Sequence, residues 1–350
     1  MISRDKLVEL LSESALDHWR GLRDTADRIR AYAVGDCVHL RALIEISSVC
    51  RRNCLYCGLR SSNKKLVRYR MADREIVDAA CAAAARGRRT VVLQAGEDPL
   101  LTASRVARLV RCIKDAADVA MTLSLGEYPR DDYMEMREAG ADRYLLKHET
   151  IDPDIYQAMH PGMSFEHRIR CLVWLKEAGF QVGSGVIVGL PGQTIETLAD
   201  DIIFMRRLGI DMAGIGPFIP HPDTPLRNMP PGNMDLCLNL IAFTRIAIPY
   251  AHIPATTAMG TLGRNGLERA LRAGANVLMP CATPDMYMQG YDIYPGRTRT
   301  SDTGPHSVMG LVQKLGRTVA HDYGHIQRPC RYLAPFDISM YKRALLRCSL

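Results

Sequence analysis

Cys50, Cys54 and Cys57 lie within the run VCRRNCLYCGLR at 49–60, a C-x3-C-x2-C spacing that directly follows the strand-like segment ALIEIS at 42–47. Thiolates select soft metals, so three of them on one loop suit an iron–sulfur cluster, zinc or copper. Their number matters as much as their spacing. A cubic 4Fe–4S cluster has four irons, and three protein thiolates leave one iron open to another ligand. A structural zinc site closes with four protein ligands, and no further cysteine or histidine lies close by in the chain to supply one. On spacing alone zinc stays open.

The elements that must position this loop follow a repeating rhythm. Strand-type runs occur at 42–47, 90–94, 120–125, 143–146, 181–188, 212–215, 252–256 and 276–279. Amphipathic helical stretches separate most of them, at 73–86, 103–115, 130–138, 165–178, 194–208, 234–246 and 267–272. Gly140, Gly179, Gly209 and Gly274 stand where several of these helices must stop in the left-handed conformation. Eight strands alternating with helices predict a parallel sheet closed into a (β/α)8 TIM barrel, with an open doubly wound sheet as the alternative. Two helices at 2–11 and 16–33 come first. The expected organisation is an N-terminal helical extension at 1–35, a barrel at 36–322 and a C-terminal tail at 323–350.

Composition excludes several classes. With 47% hydrophobic residues the chain is a globular one, not a disordered one. No stretch reads as a signal peptide or as a membrane span, so the expected compartment is the cytoplasm. Eleven cysteines there point to metal binding and ordinary burial rather than disulfides. The formal charge of +7 is spread along the chain with no block of five like charges, which gives no indication of a nucleic-acid partner.

In such a barrel the chemistry belongs at the C-terminal ends of the strands. The cysteine loop follows the first strand. Polar and glycine residues collect after the others, in QAGEDP at 94–99, SLGE at 124–127, KHET at 147–150, GLPGQT at 189–194, 217–225 and TTAMG at 256–260. Any one of these is ordinary loop chemistry; together they favour one large site.

The run CRRNCLYC, with Tyr56 just before the third cysteine, resembles the cluster motif of the radical S-adenosylmethionine (SAM) superfamily. In that superfamily the open iron is chelated by SAM, and the reduced cluster cleaves SAM to methionine and a 5′-deoxyadenosyl radical. Gly96 and Glu97 resemble its strand-two motif, which meets the SAM amino group, and GVIVG at 185–189, ending in Gly189, resembles its adenine-contacting strand-five motif. RRNCLYCGLRSSNKKLVRYRM, VVLQAGEDP, TLSLGEYPR, AGADRYLLKHET, GIGPFIPHPDTPL and IPATTAMGT are similar to the HydE family, maturases that help build the active-site cluster of FeFe-hydrogenase. The likeness covers about 42–295.

That resemblance implies one 4Fe–4S cluster on Cys50, Cys54 and Cys57, with Glu149 and Arg168 holding SAM. It further implies a cavity lined by Arg143, Thr256, Thr257, Tyr291 and Tyr294, a small organometallic iron substrate, an electron donor and other hydrogenase maturation proteins as partners. A Glu149–Arg168 salt bridge at the rim is the plainer reading of that pair. His148 and His221 are left out of catalysis, and Met259 is read as packing. Some HydE proteins carry a second C-x7-C-x2-C set; 295–315 holds no cysteine, and Cys281, Cys330 and Cys348 are too far apart to imitate one. A methylornithine synthase-like mutase, a biotin synthase-like sulfur inserter and a non-enzymatic zinc scaffold are the alternatives.

Overall fold

The computed structural model describes residues 2–13, 20–263, 265–297, 300 and 307–326. Two helices, α1 (Arg4–Glu13) and α2 (Arg20–Val34), lead into β1 (Cys37–Ser47). Strand and helix then alternate: α3 (Asp73–Ala85), β2 (Thr90–Ala95), α4 (Ala103–Ala116), β3 (Ala120–Ser124), α5 (Arg130–Glu138), β4 (Arg143–Leu145), α6 (Pro153–Met159) and α7 (Phe165–Glu177). The same alternation runs on through β5 (Gln181–Val188), α8 (Ile195–Leu208), β6 (Met212–Pro217), α9 (Met234–Ala247), α10 (Thr257–Leu262), α11 (Gly266–Arg272) and β7 (Val277–Leu278). The described chain closes with α12 (Asp285–Met288), α13 (Val308–Lys314) and β8 (Thr318–Val319).

The strands pair in parallel in the order β6-β5-β4-β3-β2-β1-β7. Between β6 and β7 the ring is completed by single bridges, Met212 with His252 and Pro254 with Val277. The stretch expected as a strand at 252–256 thus takes the seventh place in the barrel without forming a regular strand. Pro254 has no N–H to give a ladder. Its neighbours still bond on both sides, Ala213 N–H to His252 O at 2.9 Å and Ala255 N–H to Val277 O at 2.9 Å. β8 lies outside the ring and pairs with the start of β1.

Side chains alternate across each strand. Ile44, Ile46, Val91, Leu93, Met121, Leu123, Tyr144, Val182 and Ile215 face the helices and form one continuous core with them. Their alternates, among them Glu45, Gln94, Ser124 and Lys147, therefore face the lumen. Helices begin on side-chain caps at Thr102, Asp152, Ser164, Thr194 and Asn233, each accepting a backbone N–H. Gly140, Gly179, Gly209 and Gly274 take positive φ at the expected stops. α6 was not foreseen, although Asp152 before Pro153 is a legible start.

Residues 320–326 lie against the N-terminal end of the barrel. Tyr323 O there accepts from Thr90 Oγ1 at 3.0 Å and from Arg143 Nη2 at 2.5 Å. Pro329, Cys330, Pro335, Lys342, Arg343, Arg347 and Cys348 fall outside the described residues. Among the described residues no helix is long and apolar enough to cross a membrane.

Candidate active site

The cysteine loop leaves β1 and returns through an antiparallel bridge between Ser47 and Arg70. Arg68 holds it from inside, donating to the carbonyls of Ser48 (2.7 Å), Leu59 (3.0 Å), Arg60 (2.7 Å) and Asn63 (3.3 Å). Backbone bonds tie the loop to three other segments, the turn after β2, the end of α6 and the loop after α12: Arg51 N–H to Glu97 O (3.0 Å), Leu55 N–H to Met159 O (2.9 Å) and Gly58 N–H to Ile293 O (3.0 Å). Gly96 must be a glycine here, because a Cβ would lie 2.4 Å from Val49 O and 2.6 Å from Cys50 Cβ. Residues 48–72 contain Arg51, Arg52, Arg60, Lys64, Lys65, Arg68 and Arg70 and no acid, so the positive charge is less evenly spread than the sequence reading held. Carboxylates from other loops answer it, Asp98 to Arg70 at 2.7 Å and Asp223 to Lys65 at 2.6 Å.

Cys50, Cys54 and Cys57 are all free thiols, half-buried. Burial, and next the charge of Cys50, pushes the Cys54 thiol up to about 12. Burial together with Cys54 and Cys50 raises Cys57 further. Three thiols that oppose each other's ionisation form a site suited to a cationic centre. Among the described residues no three Cys, His, Asp or Glu side chains converge on a single ion. A cubic cluster takes each thiolate on a different iron, which is the donor set these three cysteines offer.

Beside the thiols runs a ladder of paired charges, from the exposed Arg51 to the buried Glu97, Glu127 and Arg168. Arg51 Nε (3.2 Å) and Arg52 Nε both meet Glu97 Oε2, and Arg52 Nη2 continues to Glu127 Oε2 at 2.8 Å. Arg168 Nε donates to Glu127 Oε1 at 2.7 Å and its Nη1 to Lys147 O at 2.5 Å. Glu149 pairs with Lys147 Nζ, 2.9 Å from Oε2, and not with Arg168. Burial works against ionisation of Glu149, but Lys147 outweighs it and holds the carboxyl below its ordinary value. Glu149 sits at φ 66°, a left-handed conformation unusual for a side-chain-bearing residue. Its Oε2 makes no aligned hydrogen bond, and the buried Tyr156 hydroxyl likewise has none. The unpartnered Tyr156 hydroxyl, and a Glu149 oxygen held by the Lys147 ion pair alone, leave bonding capacity that a bound polar ligand would satisfy.

Down the lumen, residual exposure alternates with burial: Ser124, Leu145, Lys147, Glu149, Ile187 and Thr256 are partly exposed while their outward neighbours are buried. Helices cover the outside, so this accessibility belongs to an internal space. Thr257 Oγ1 lies 2.5 Å from Tyr294 OH, and Thr256 Oγ1 donates to Ile215 O at 3.3 Å. Tyr291 is buried with the Arg297 guanidinium 5.6 Å from its ring centroid, and Arg297 pairs with Glu45. These residues gather near the mouth. Arg143 does not join them: it begins β4 at the opposite end, donating to Tyr323 O and Gln181 Oε1 (3.2 Å). Gly189 takes φ 96° with its Cα side pressed on Gly232, which explains the glycine by packing as well as by any ligand. His148 is fully buried between Ser184 Oγ (2.8 Å) and Asp201 Oδ1 (3.2 Å), and His221 bonds Asp292 Oδ2 at 3.1 Å. Met259 belongs to the core.

Residues 44–205 match the Radical SAM superfamily. The [FeFe] hydrogenase maturase subunit HydE of Thermotoga maritima is 50% identical over 93% of this chain and 94% of its own length. The chain belongs to the HydE family. HydE-type chains have wider kin: 3-methylornithine synthase of Methanosarcina acetivorans is 27% identical over 90% of this chain and 89% of its own. The crystal structure of methylornithine synthase superposes with a TM-score of 0.79 at 26% identity, covering 91% and 94% of the two chains. HydG from Carboxydothermus hydrogenoformans shares the fold, with a TM-score of 0.75 at 21% identity over 90% of this chain and 74% of its own.

Sequence reasoning did not single out Lys147, Glu127 or Glu45 as site residues of this HydE-family enzyme. Lys147 and Glu127 stood at recognised strand ends, and the inward phase of β1 marks Glu45. The partners of Glu127 (Arg52, Arg168) and of Glu45 (Arg297) are distant in sequence, whereas Lys147 pairs with Glu149 two residues on.

Proposed function

We propose that this radical SAM enzyme binds one 4Fe–4S cluster through Cys50, Cys54 and Cys57 and acts in assembly of the di-iron active-site cluster of [FeFe] hydrogenase, in the cytoplasm. The observation that carries the reading is three free thiols on one loop, with no fourth donor grouped with them among the described residues, beside Arg168 and the Lys147–Glu149 pair. When bound, the cluster and SAM supply reductive cleavage to methionine and a 5′-deoxyadenosyl radical. The chain's own residues then bind and orient. Arg168 has Nη2 left over for a carboxylate, Glu149 Oε2 accepts from a hydroxyl or amine, and Gly96, Glu97, Tyr56 and Gly189 shape the remaining walls. Thr256, Thr257, Tyr291 and Tyr294 offer hydroxyls to a small organometallic iron substrate, with Arg143 at the far end of the lumen. The other described cysteines, Cys37, Cys81, Cys112, Cys171, Cys237 and Cys281, are assigned to structural or incidental places and not to a second cluster. A one-electron donor and other maturation proteins complete the system.

A methylornithine synthase-like mutase is the second reading, favoured by the TM-score of 0.79 to that enzyme. The deciding experiment adds the reconstituted protein to a hydrogenase maturation system that lacks HydE. Restored hydrogenase activity is expected. SAM cleavage without restoration would remove the maturase role and favour the second reading.

A further inference from the structure

His160 has no part in the roles above, yet it stands at the junction of the cluster loop and the SAM-side arginine. α6 ends on it. Its Nδ1 lies 2.8 Å from Tyr156 O, a contact that requires the hydrogen to be on Nδ1. Burial, at 1% exposure, and the nearby Arg168 disfavour a second proton. Nε2 is therefore an acceptor, and Tyr56 OH lies 2.7 Å from it. The imidazole stacks on Tyr156 with ring centroids 4.1 Å apart and planes at 22°. The Arg168 guanidinium lies 5.8 Å from the Tyr156 ring centroid. Arg168, Tyr156, His160 and Tyr56 thus form an unbroken chain that ends between Cys54 and Cys57. Next to it, the Leu55 N–H bond to Met159 O docks the same loop on the same helix end.

Packing alone does not need this arrangement. The half-buried Tyr56 phenol and the buried His160 imidazole each need a partner, and with Nδ1 bonded to Tyr156 O each satisfies the other in only one tautomer. The bond removes rotational freedom from the aromatic residue adjoining Cys57, and it does so from the helix that packs against the arginine's own helix, α7. We infer that His160 is a positioning residue: through Tyr56 it fixes the Cys54–Cys57 segment relative to Arg168, so that cluster ligands and SAM clamp keep one relative placement. This rests on the cluster and SAM reading proposed above.

The test uses full-length protein reconstituted anaerobically, with iron content, SAM affinity by equilibrium dialysis, and the electron paramagnetic resonance (EPR) spectrum of the reduced protein with and without SAM. His160→Phe keeps an aromatic stack and removes the acceptor; Tyr56→Phe removes the matching donor. Each is expected to load iron as the parent does, to weaken SAM about five- to tenfold, the size of one lost hydrogen bond, and to broaden the SAM-dependent EPR signal. The double variant is expected to be no worse than either single one, since both delete the same bond. His160→Gln, which returns an acceptor, recovers part of the affinity. Unchanged affinity and spectrum in His160→Phe, or additive losses in the double variant, would overturn the inference. Iron loss with lowered melting temperature in His160→Phe would also overturn it, in favour of a purely structural role. A parent protein that loads a cluster but shows no spectral response to SAM would instead overturn the reading beneath it.

Discussion

The two ends of the barrel solve the burial of charge in opposite ways. At the mouth, Arg51, Arg52 and Arg168 meet Glu97 and Glu127 in a connected ladder, and Lys147 meets Glu149. At the floor, Arg41 and Arg143 are buried more deeply than Arg51 or Arg52 and bond to neutral groups: Arg41 to Met212 Sδ (2.8 Å) and Gly324 O (3.4 Å), Arg143 to Tyr323 O and Gln181. Burial pushes Arg143 down to about 10, and burial followed by the charge of Arg41 lowers His39 to about 4 and His252 well below its ordinary value, with Asp322 Oδ1 3.4 Å from His39 Nδ1 working the other way on His39. A paired network holds geometry, whereas a floor of unpaired cations closed by backbone carbonyls holds the barrel shut.

Substitutions at each end test that division. Cys54→Ala removes one of three cluster ligands, and the expected result is near-total loss of iron and of SAM cleavage, measured by iron assay and 5′-deoxyadenosine yield. Retained iron with activity would show that the loop does not work as a unit. Gly96→Ala adds a methyl group that meets backbone at Val49 O; reduced cluster loading and SAM binding weakened more than about tenfold are expected, as a strained backbone contact costs on the order of 1–3 kcal/mol.

The floor histidines make stability depend on pH. Folding lowers the pKa of His39 from 6.5 to about 4, so the unfolded chain takes up the proton first as pH falls. Stability is full above pH 6.5 and declines between 6.5 and about 4, by up to about 3 kcal/mol for such a shift. Chemical denaturation across that range checks it, and His39→Asn is expected to flatten the slope. Gly324→Ala is the counterpart of Gly96→Ala. Gly324 has φ 59° and its Cβ would sit 2.8 Å from His39 Nδ1, so a loss of about 1–2 kcal/mol in stability with unchanged SAM affinity is expected. A fall in SAM affinity here would show that the ends are coupled and break the contrast.

The mouth was largely legible because its signals are local. Cysteine spacing, the glycine after β2 and caps such as Thr102, Ser164 and Thr194 are each contained in a few residues, and all eight barrel positions followed from strand–helix alternation, seven of them as regular strands. Arg168 and Glu149 were marked, but their partners were not, since Glu127 lies on a different loop and Lys147 competes for Glu149 at two residues' distance. The floor was not legible at all. Arg41, Arg143, Met212, His252 and Tyr323 come from five separate segments and meet only when the ring closes, and Arg143 was accordingly expected among cavity residues that gather at the other end. Pro254 explains why the seventh barrel position reads as a strand yet forms only bridges.

The central claim is that the three thiols leave a coordination place that SAM fills. Anaerobic reconstitution followed by EPR of the dithionite-reduced protein, recorded with and without SAM, tests it most directly. A 4Fe–4S signal that changes on adding SAM, with 5′-deoxyadenosine accumulating in the same sample, is the expected result. A bound metal whose spectrum ignores SAM, with no 5′-deoxyadenosine formed under strong reductant, would contradict it.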